Sequence, residues 1–266
     1  MDNKLTVLIT GVFSGIGNAV MNYFCLKGHE VYGIDICPFK HESLHFFMAD
    51  ITNENQLLEI KEELSKQNIQ FDLILNFAGI HKMGSFIEND IHEIKKVIDI
   101  NLIGTILVNK TFYSLLKRNG RIIITTSEVA PLDPMPFNGI YHISKTALDC
   151  YSQSLRQELH LQGQKVITIR PGAILTPLCQ NSSSETEKFM HSTHMYQKES
   201  KHFHSLIKKF MGTPMNSNQF ARFIYKVSLK KHPKLIYNKH HNFLLKGMSL
   251  LPKRWQCAII KKLLKK

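Results

Sequence analysis

The sequence predicts a doubly wound α/β fold, in which a mostly parallel sheet has helices on both of its faces. Two observations predict it. Segments that look like strands alternate along the chain with longer segments of helical periodicity, which is typical of βαβ units. The strand-like segments are also continuously apolar, as expected of strands buried on both faces.

Seven apolar, β-branched runs are predicted to be strands, at residues 4–10, 30–35, 43–50, 71–79, 120–127, 165–172 and 233–238. Five segments between them are predicted to be helices, at residues 15–27, 53–67, 88–117, 141–162 and 217–230. Neither internal repeats nor low-complexity linkers divide the chain. We therefore expect a single domain over residues 1–266.

The composition excludes several classes of protein. With 43% hydrophobic and 21% charged residues, it is ordinary for a globular domain. The 5 cysteines are odd in number and lack C-x-x-C spacing, which argues against a disulfide framework or a zinc site and favours a reducing compartment. No apolar run reaches the roughly 18 residues of a membrane span, and no secretory leader is recognised. We therefore expect a cytoplasmic location.

The net charge of +13 is concentrated in the last quarter of the chain. Residues 200–266 contain 16 Lys or Arg and no Asp or Glu, whereas residues 1–199 contain 18 basic and 21 acidic residues. The basic charge is not accompanied by a recognised nucleic-acid-binding module or by aromatic stacking platforms. We therefore expect no nucleic-acid partner.

The C-terminal segment, at about residues 240–266, is both basic and amphipathic. Trp255, Ile259 and Leu263 recur every four residues among lysines. This pattern is typical of a helix that lies on an anionic membrane surface, so peripheral membrane contact is one interpretation. The alternative is a terminal helix that packs on its own domain or on a sister subunit.

The exit of the first predicted strand carries a glycine-rich loop, TGVFSGIG, which begins at Thr10. Its glycines permit a tight turn and a close approach of the backbone to a pyrophosphate, and the helix N-terminus that follows favours phosphate charge. The second predicted strand ends at Asp35, whose carboxylate can accept hydrogen bonds from ribose hydroxyls and repels a 2′-phosphate. Ser14, rather than a basic residue, lies in the loop. The pattern predicts NAD as the cofactor, with NADP less favoured.

Five motifs, including this loop, resemble the short-chain dehydrogenase/reductase family over roughly residues 4–180. They occur in the family's order and are TGVFSGIG, NFAG, the asparagine of DINLIG, YHISK and PGAILT. The resemblance implies a Rossmann-type fold and an oxidoreductase that uses a nicotinamide dinucleotide.

The resemblance also implies a cofactor-binding set at the strand exits. It comprises Thr10, Gly11, Ser14, Gly15, Ile16, Gly17, Asp35, Asp50, Ile51, Asn76, Ala78, Gly79, Tyr141, Lys145, Pro171, Gly172 and Thr176. Asp50 is expected to contact adenine, with Ile51 beside the ring, and Thr176 is expected to meet the nicotinamide carboxamide. Phe77 stands where the family usually has a second asparagine that braces the sheet, so that bracing is in question.

Tyr141 and Lys145 lie four residues apart on a predicted helix, so their side chains share one face. The resemblance implies that Tyr141 exchanges a proton with the substrate oxygen. It implies that Lys145 lowers the pKa of that tyrosine and holds the nicotinamide ribose, while Asn101 anchors a water in a proton relay. His142 points about 100° away from Tyr141 on the same helix. We therefore expect His142 to be a bystander.

The catalytic serine is one residue out of the family's register. The usual position, 13 residues before the tyrosine, holds Glu128, and Ser127 lies 14 residues before it. Because polarising a carbonyl requires a neutral donor, we predict Ser127 rather than Glu128 or Thr126. One extra residue in the proline-containing loop that follows would restore the geometry.

A long segment after Thr176, at about residues 178–215, is predicted to form a substrate lid. Its four histidines, at 191, 194, 202 and 204, lack a consistent partner set, so we expect no metal. Apolar side chains are expected to wall the substrate cavity, namely Phe189, Met190, Met195, Tyr196, Phe203, Phe210 and Met211.

The function predicted from these features is NAD(H)-dependent interconversion of a secondary alcohol and a ketone, on a lipophilic or ring-bearing, steroid-like small molecule. Two alternatives stay open. One is an acyl-carrier-protein ketoreductase, whose acidic partner would suit a basic surface, and the other is a non-catalytic dinucleotide-binding sensor on the same fold. The resemblance further implies a homodimer or homotetramer, formed through the helices at 88–117 and 141–162.

Overall fold

A seven-stranded parallel sheet forms the centre of the protein in the computed structural model, which describes residues 4–210 and 212–265. The strands, in chain order, are β1 (Thr6–Thr10), β2 (Glu30–Asp35), β3 (Leu44–Met48), β4 (Phe71–Asn76), β5 (Leu116–Thr125), β6 (Lys165–Pro171), β7 (Ile174–Leu175), β8 (Met215–Asn216) and β9 (Ile236–Lys239). All of them except β7 and β8, which pair with each other, belong to the central sheet. The predicted doubly wound α/β fold is confirmed.

The helices surround this sheet. In chain order they are α1 (Gly15–Leu26), α2 (Glu54–Lys66), α3 (Ile91–Ile98), α4 (Thr105–Phe112), α5 (Gly139–His160), α6 (Pro177–Ser192), α7 (Gln197–Phe210), α8 (Ser217–Leu229), α9 (Phe243–Ser249) and α10 (Lys253–Leu264). Helices α6 and α7 occupy the predicted lid segment, and α9 and α10 occupy the basic C-terminal segment.

The strand order positions the functional site. It reads β3-β2-β1-β4-β5-β6-β9, so the chain winds outward in one direction from β1 and in the other direction from β4. In doubly wound sheets, ligands bind beyond the carboxyl ends of the strands at such a reversal point. The exits of β1 and β4 therefore define where a ligand is expected.

The two faces of the sheet bury separate hydrophobic cores. Along β1, Val7 and Ile9 point to one face and Leu8 points to the other, as the two-residue period of a strand requires. The first face packs against α1 and α8 through fully buried aromatic rings such as Phe24 and Phe220. The second face packs against α2, α4 and α5. Burial on both faces explains why these strands read as continuously apolar.

The predicted helix at residues 88–117 is interrupted. Helix α3 passes into a π-helical stretch, Asp99–Gly104, before α4 begins, and a short 3₁₀ turn at Tyr113–Leu115 then leads directly into β5. Apolar periodicity does not distinguish an i→i+5 turn from an i→i+4 turn, so the sequence could not show this break. Such stretches are frequent at functional sites.

The C-terminal segment packs on the domain through one side of α10. Leu264 is buried against Phe203 of α7 and against Met83, and the ring of His202 bonds to the backbone oxygen of Leu264 at 2.8 Å. Trp255 stays exposed. In the part of the chain that the structure describes, no helix is long and apolar enough to cross a membrane.

Replacing the core residue Phe24 tests the importance of the α1–α8 packing. Phe24 is fully buried, and its ring makes an edge contact with Tyr225 at 5.2 Å between centroids. We expect Phe24→Ala to lower the free energy of unfolding by about 3–5 kcal/mol, because it leaves a cavity that the sheet cannot fill. Leu26→Ala on the same helix, at a residue that is 79% exposed, should change it by less than about 0.5 kcal/mol. Urea unfolding of both variants measures the difference, and equal losses would contradict this account of the core.

Candidate active site

The glycine loop after β1 lies against the stretch that follows β4. Gly11 has a φ of +76°, and a Cβ there would lie 2.8 Å from the backbone nitrogen of Ala78. A Cβ on Gly17 would lie 2.1 Å from the backbone oxygen of Gly11. The hydroxyl of Thr10 accepts hydrogen bonds from the amides of Phe77 and Ala78, at 3.3 Å each. Only glycine fits this close approach, which leaves a narrow backbone groove between the two strand exits.

The residues around this groove fit a dinucleotide. Ser14 precedes α1 and makes no side-chain capping bond, which leaves the first amides of α1 available to an anion such as a pyrophosphate. Gly15 has a φ of +64°, and a Cβ there would lie 3.5 Å from the side chain of Thr176. The predicted pyrophosphate loop and the residue predicted to meet the nicotinamide therefore face each other. Ile16 also lines the cavity described below.

Two predicted adenosine-binding carboxylates lie at the ends of neighbouring strands. Asp35 closes β2, where its two oxygens accept hydrogen bonds from the amides of Phe13 at 3.0 Å and Cys37 at 3.1 Å. Asp50 follows β3, and one of its oxygens accepts bonds from the amide and hydroxyl of Thr52, at 2.8 Å each. These bonds hold both carboxylates at the carboxyl edge of the sheet.

Ile51 is directed into the protein. It is buried in the second core and lies against the π-helical stretch, where a Cβ on Gly104 would come within 2.7 Å of its side chain. A role for Ile51 beside an adenine ring stays a prediction.

Asn76 provides the bracing that Phe77 cannot. Its amide donates to the side-chain oxygen of Asn109 at 2.9 Å and to the backbone oxygen of Ile123 at 3.4 Å, so it joins β4 to α4 and β5. Phe77 instead packs against the first core and lines the cavity. The sheet is therefore braced without the second asparagine that the resemblance implied.

Tyr141 and Lys145 meet on one face of α5, as the sequence predicts. The ammonium of Lys145 lies 5.9 Å from the centre of the Tyr141 ring and donates to the backbone oxygen of Thr125 at 3.3 Å. Burial lowers the pKa of Lys145 to about 8. Burial also raises the pKa of Tyr141 to about 12, although a hydrogen bond from the Ser127 hydroxyl acts in the opposite direction. Tyr141 is therefore a protonated phenol in this state of the protein.

Of the three candidates for the catalytic hydroxyl, the structure brings Ser127 to Tyr141. Both side chains line the same cavity, and Ser127 lies close enough to the phenol to lower its pKa. The hydroxyl of Thr126 instead bonds to Asp149 at 3.2 Å. The carboxylate of Glu128 lies at the cavity wall, but it accepts a bond from the amide of Asn242 at 2.6 Å and so attaches the C-terminal segment. The serine role itself stays a prediction, and the geometry favours the choice made from the sequence.

Asn101 lies in the π-helical stretch and is fully buried. Its side chain donates to the oxygen of Ile80 at 2.9 Å and accepts from the amide of Ile80 at 2.8 Å, and it also donates to the hydroxyl of Ser144 at 2.9 Å. A Cβ on Gly79 would lie 3.0 Å from the Asn101 oxygen and 3.6 Å from the Lys145 ammonium. Asn101 thus positions the β4 exit against α5, and its part in a water relay stays a prediction.

The exit of β6 completes the site. The backbone oxygen of Pro171 accepts a bond from the amide of Glu128 at 2.8 Å, and the amide of Gly172 donates to the backbone oxygen of Lys239 at 2.8 Å. A Cβ on Gly172 would lie 1.7 Å from the backbone oxygen of His240, so this turn also requires glycine. Thr176 is buried, and its hydroxyl donates to the backbone of Ile174 at 3.2 Å.

His81 is a site residue that the sequence reasoning missed. Its ring makes an edge contact with Tyr141 at 4.5 Å between centroids, and its Nε2 bonds to the side-chain oxygen of Asn138 at 3.1 Å. Burial lowers the pKa of His81 to about 4, so the ring is neutral at pH 7. In the sequence, the only indication that His81 belongs to the site is its position two residues after Gly79. His142, by contrast, is buried outside the cavity lining, as expected of a bystander.

An apolar cavity of about 440 Å³ adjoins Tyr141, Ser127 and Lys145. Part of its wall comes from α7, through Phe203, Leu206 and Ile207. The C-terminal helices supply much of the rest, through Leu244, Leu245, Met248, Ile260, Leu263 and Leu264. The cavity is therefore closed by segments far apart in the sequence.

The predicted cavity wall was largely wrong. Among its described members only Phe203 lines the cavity. Phe189 and Tyr196 pack instead on the ring of Phe137, at 4.7 and 5.1 Å, and Met195 is exposed. Met211 and the side chain of Phe210 lie outside the described residues.

The lid histidines make ordinary polar contacts. His204 bonds to the hydroxyl of Thr186 at 2.8 Å, and His202 bonds to the C-terminal helix as described above. Over residues 4–210 and 212–265, no group of three or more His, Cys, Asp or Glu side chains could hold a metal ion.

The chain belongs to the short-chain dehydrogenase family, which matches residues 5–187. It is an oxidoreductase of that family, whose members bind a nicotinamide dinucleotide.

Individual relatives cover different shares of the chain. An NADPH-dependent 1-acyldihydroxyacetone phosphate reductase of Schizosaccharomyces pombe is 32% identical over 67% of this chain, which spans only 62% of that relative. The uncharacterised oxidoreductase YusZ of Bacillus subtilis is 26% identical over 98% of this chain and 99% of its own length. A short-chain dehydrogenase family protein of Francisella tularensis has a structure with a TM-score of 0.71, at 27% identity, over 88% of this chain and 97% of its own.

Substitutions at residues 127 and 128 test which side chain assists Tyr141. We expect Ser127→Ala to lower kcat by about 10²–10³-fold, because it removes a hydroxyl placed to stabilise the reacting oxygen. Glu128→Gln keeps an acceptor for the Asn242 amide and should cause a much smaller loss. Steady-state kinetics on one ketone measure kcat for both variants. Ser114→Ala, at an exposed serine, is the control for serine removal. Full turnover by Ser127→Ala, or an equal loss in Glu128→Gln, would contradict the assignment.

Proposed function

We propose that the protein interconverts a secondary alcohol and a ketone with NAD(H), on a lipophilic small molecule. One observation carries the proposal: Tyr141, Ser127 and Lys145 line one apolar cavity, which Ile16 of the glycine loop also lines. A proton-transfer group, a hydroxyl donor and a cation at the mouth of such a cavity suit carbonyl chemistry.

In the reducing direction, Tyr141 donates its proton to the carbonyl oxygen while Ser127 orients that oxygen. A nicotinamide dinucleotide held by the glycine loop and Lys145 would supply the hydride in this direction and would accept it in the oxidising direction. The ammonium of Lys145 stabilises the phenolate that Tyr141 leaves behind, because a nearby positive charge favours the ionised form of a phenol. General acid–base catalysis of this kind contributes about 10²–10⁴-fold. The geometry of an intact proton-transfer set argues against a non-catalytic dinucleotide sensor.

The preference for NAD over NADP is part of this proposal. Its support is Asp35, a carboxylate held at the end of β2 where it would repel a 2′-phosphate. The fission-yeast relative is NADPH-dependent, so the family match does not decide the preference. An acyl-carrier-protein ketoreductase, which usually prefers NADPH, is disfavoured on the same ground.

The lipophilic substrate is supported by the apolar lining of the cavity. A steroid-like, ring-bearing substrate stays the prediction made from the sequence. The name of the fission-yeast relative adds a second lipophilic class, a ketone that carries an acyl chain.

We also propose a homodimer or homotetramer, in a cytoplasmic location with contact to a membrane through the C-terminal segment. Exposed apolar side chains on the helices expected at the subunit interface support the oligomer, namely Ile91, Ile103, Tyr113 and Ile143. The basic charge of residues 200–266 supports the membrane contact.

Removing the Tyr141 hydroxyl tests the proposed function. We expect Tyr141→Phe to keep its affinity for NADH and to lose at least about 10²-fold in kcat, because only the proton donor is removed. NADH fluorescence titration measures binding, and a panel of alcohols and ketones measures turnover. Turnover that survives in Tyr141→Phe would refute the mechanism.

Cofactor preference is tested by removing the charge of Asp35. We expect Asp35→Asn to shift the ratio of kcat/KM for NADPH over that for NADH upward by about tenfold, because the repulsion of a 2′-phosphate is lost. Asp50→Asn is the matched control, since a contact to adenine would affect both cofactors equally. A wild-type protein that prefers NADPH would contradict the proposed role of Asp35.

A further inference from the structure

The outer side of the two C-terminal helices is apolar and exposed. Phe243, Leu250 and Trp255 are 83%, 77% and 63% exposed, and α9 has no buried residue. We call these three side chains, together with the surrounding cations Lys246, Arg254, Lys261 and Lys262, the C-terminal face. Large apolar side chains that all stay exposed within one short stretch of the chain indicate an interaction site.

The charge on this face is uncompensated. Among the described residues, no carboxylate forms an ion pair with Lys246, Arg254, Lys261 or Lys262, and residues 200–266 contain no Asp or Glu. Two carboxylates of the loop after β5 do bind these helices, but at other residues. Asp133 binds the exposed Lys253 and the buried Gln256 in the first turn of α10, and Glu128 binds the start of α9. The face is therefore attached to the domain by its inner side and presents cations with apolar side chains outward.

The same two helices form the wall of the cavity. Leu244 and Leu263 line the cavity and are nevertheless exposed, so the apolar lining is continuous with the apolar surface. Phe243, Leu250 and Trp255 do not line the cavity. Different side chains therefore line the cavity and face outward from these helices, so substitutions can change one set without the other.

We propose that the C-terminal face docks on an anionic membrane surface, and that a membrane-resident lipid ketone reaches the cavity between α9 and α10 directly from the bilayer. Protruding aromatic and aliphatic side chains ringed by Lys and Arg match the boundary between anionic headgroups and acyl chains, where tryptophan is enriched. The identity of the substrate rests on the proposed function. The docking assigns residues to the membrane contact proposed above, and it does not depend on the proposed reaction.

Vesicle co-sedimentation of the full chain tests the docking. We expect binding to vesicles that contain phosphatidylglycerol to exceed binding to pure phosphatidylcholine vesicles by about tenfold. The triple variant Phe243→Ser, Leu250→Ser, Trp255→Ser, and separately Lys246→Gln, Arg254→Gln, Lys261→Gln, should lose that excess. The matched control is Leu26→Ser with Leu161→Ser, which removes exposed leucines elsewhere and should bind like the wild type. Equal sedimentation of the wild type and the apolar triple variant would overturn the proposal, as would a failure of the wild type to bind.

Turnover of two ketones tests delivery from the bilayer. With cyclohexanone in solution, the apolar triple variant should match the wild type. With methyl pentadecyl ketone in anionic vesicles, it should lose about tenfold in rate, in proportion to its lost binding. Equal rates on the vesicle substrate would overturn delivery from the membrane. The sedimentation experiment requires no turnover, so a protein that binds vesicles and reduces neither ketone would support docking and count against the proposed function alone.

Discussion

The buried side chain of Asn101 is the contact on which the geometry of the site depends. Its three hydrogen bonds join the loop after β4, the π-helical stretch and α5, and they leave no freedom in the placement of Gly79 relative to Lys145. A fully satisfied polar group in a dry interior specifies one arrangement, because any other would leave it unpaired. The same stretch after β4 also holds the glycine loop, because the hydroxyl of Thr10 accepts hydrogen bonds from the amides of Phe77 and Ala78.

Burial sets the electrostatics of the site. The same desolvation raises the pKa of Tyr141 and lowers that of Lys145, so both side chains are driven toward their neutral forms. With a pKa of about 12 Tyr141 keeps its proton at pH 7, and with a pKa of about 8 Lys145 is still mostly an ammonium there. The hydrogen bond from Ser127 acts in the opposite direction on Tyr141, which makes the serine part of the same balance. Burial in the apolar cavity wall is therefore the main influence on the pKa values of both side chains.

The C-terminal helices α9 and α10 make much of the cavity wall apolar. They are far in sequence from the family's motifs and lie beyond the residues that match the family, yet they supply much of the apolar wall. They are attached by polar contacts to Glu128 and Asp133, in the loop that follows β5. The predicted reacting groups therefore lie at the sheet exits, whereas a late, basic segment of the chain forms much of the cavity wall beside them.

The sequence by itself determined the fold class, the glycine loop, Asp35 and the Tyr141–Lys145 pair, because each depends on local spacing along a strand exit or one helix face. The tertiary structure alone decided the rest. It added His81 to the site, and it bonded Thr126 to Asp149 and Glu128 to the amide of Asn242, which favours the serine already chosen from the sequence. It also replaced most of the predicted cavity wall with side chains of α9 and α10. These outcomes depend on which distant segments pack together. The sequence cannot predict them, because a periodic pattern indicates which face of a helix or strand is apolar but not which segment covers that face.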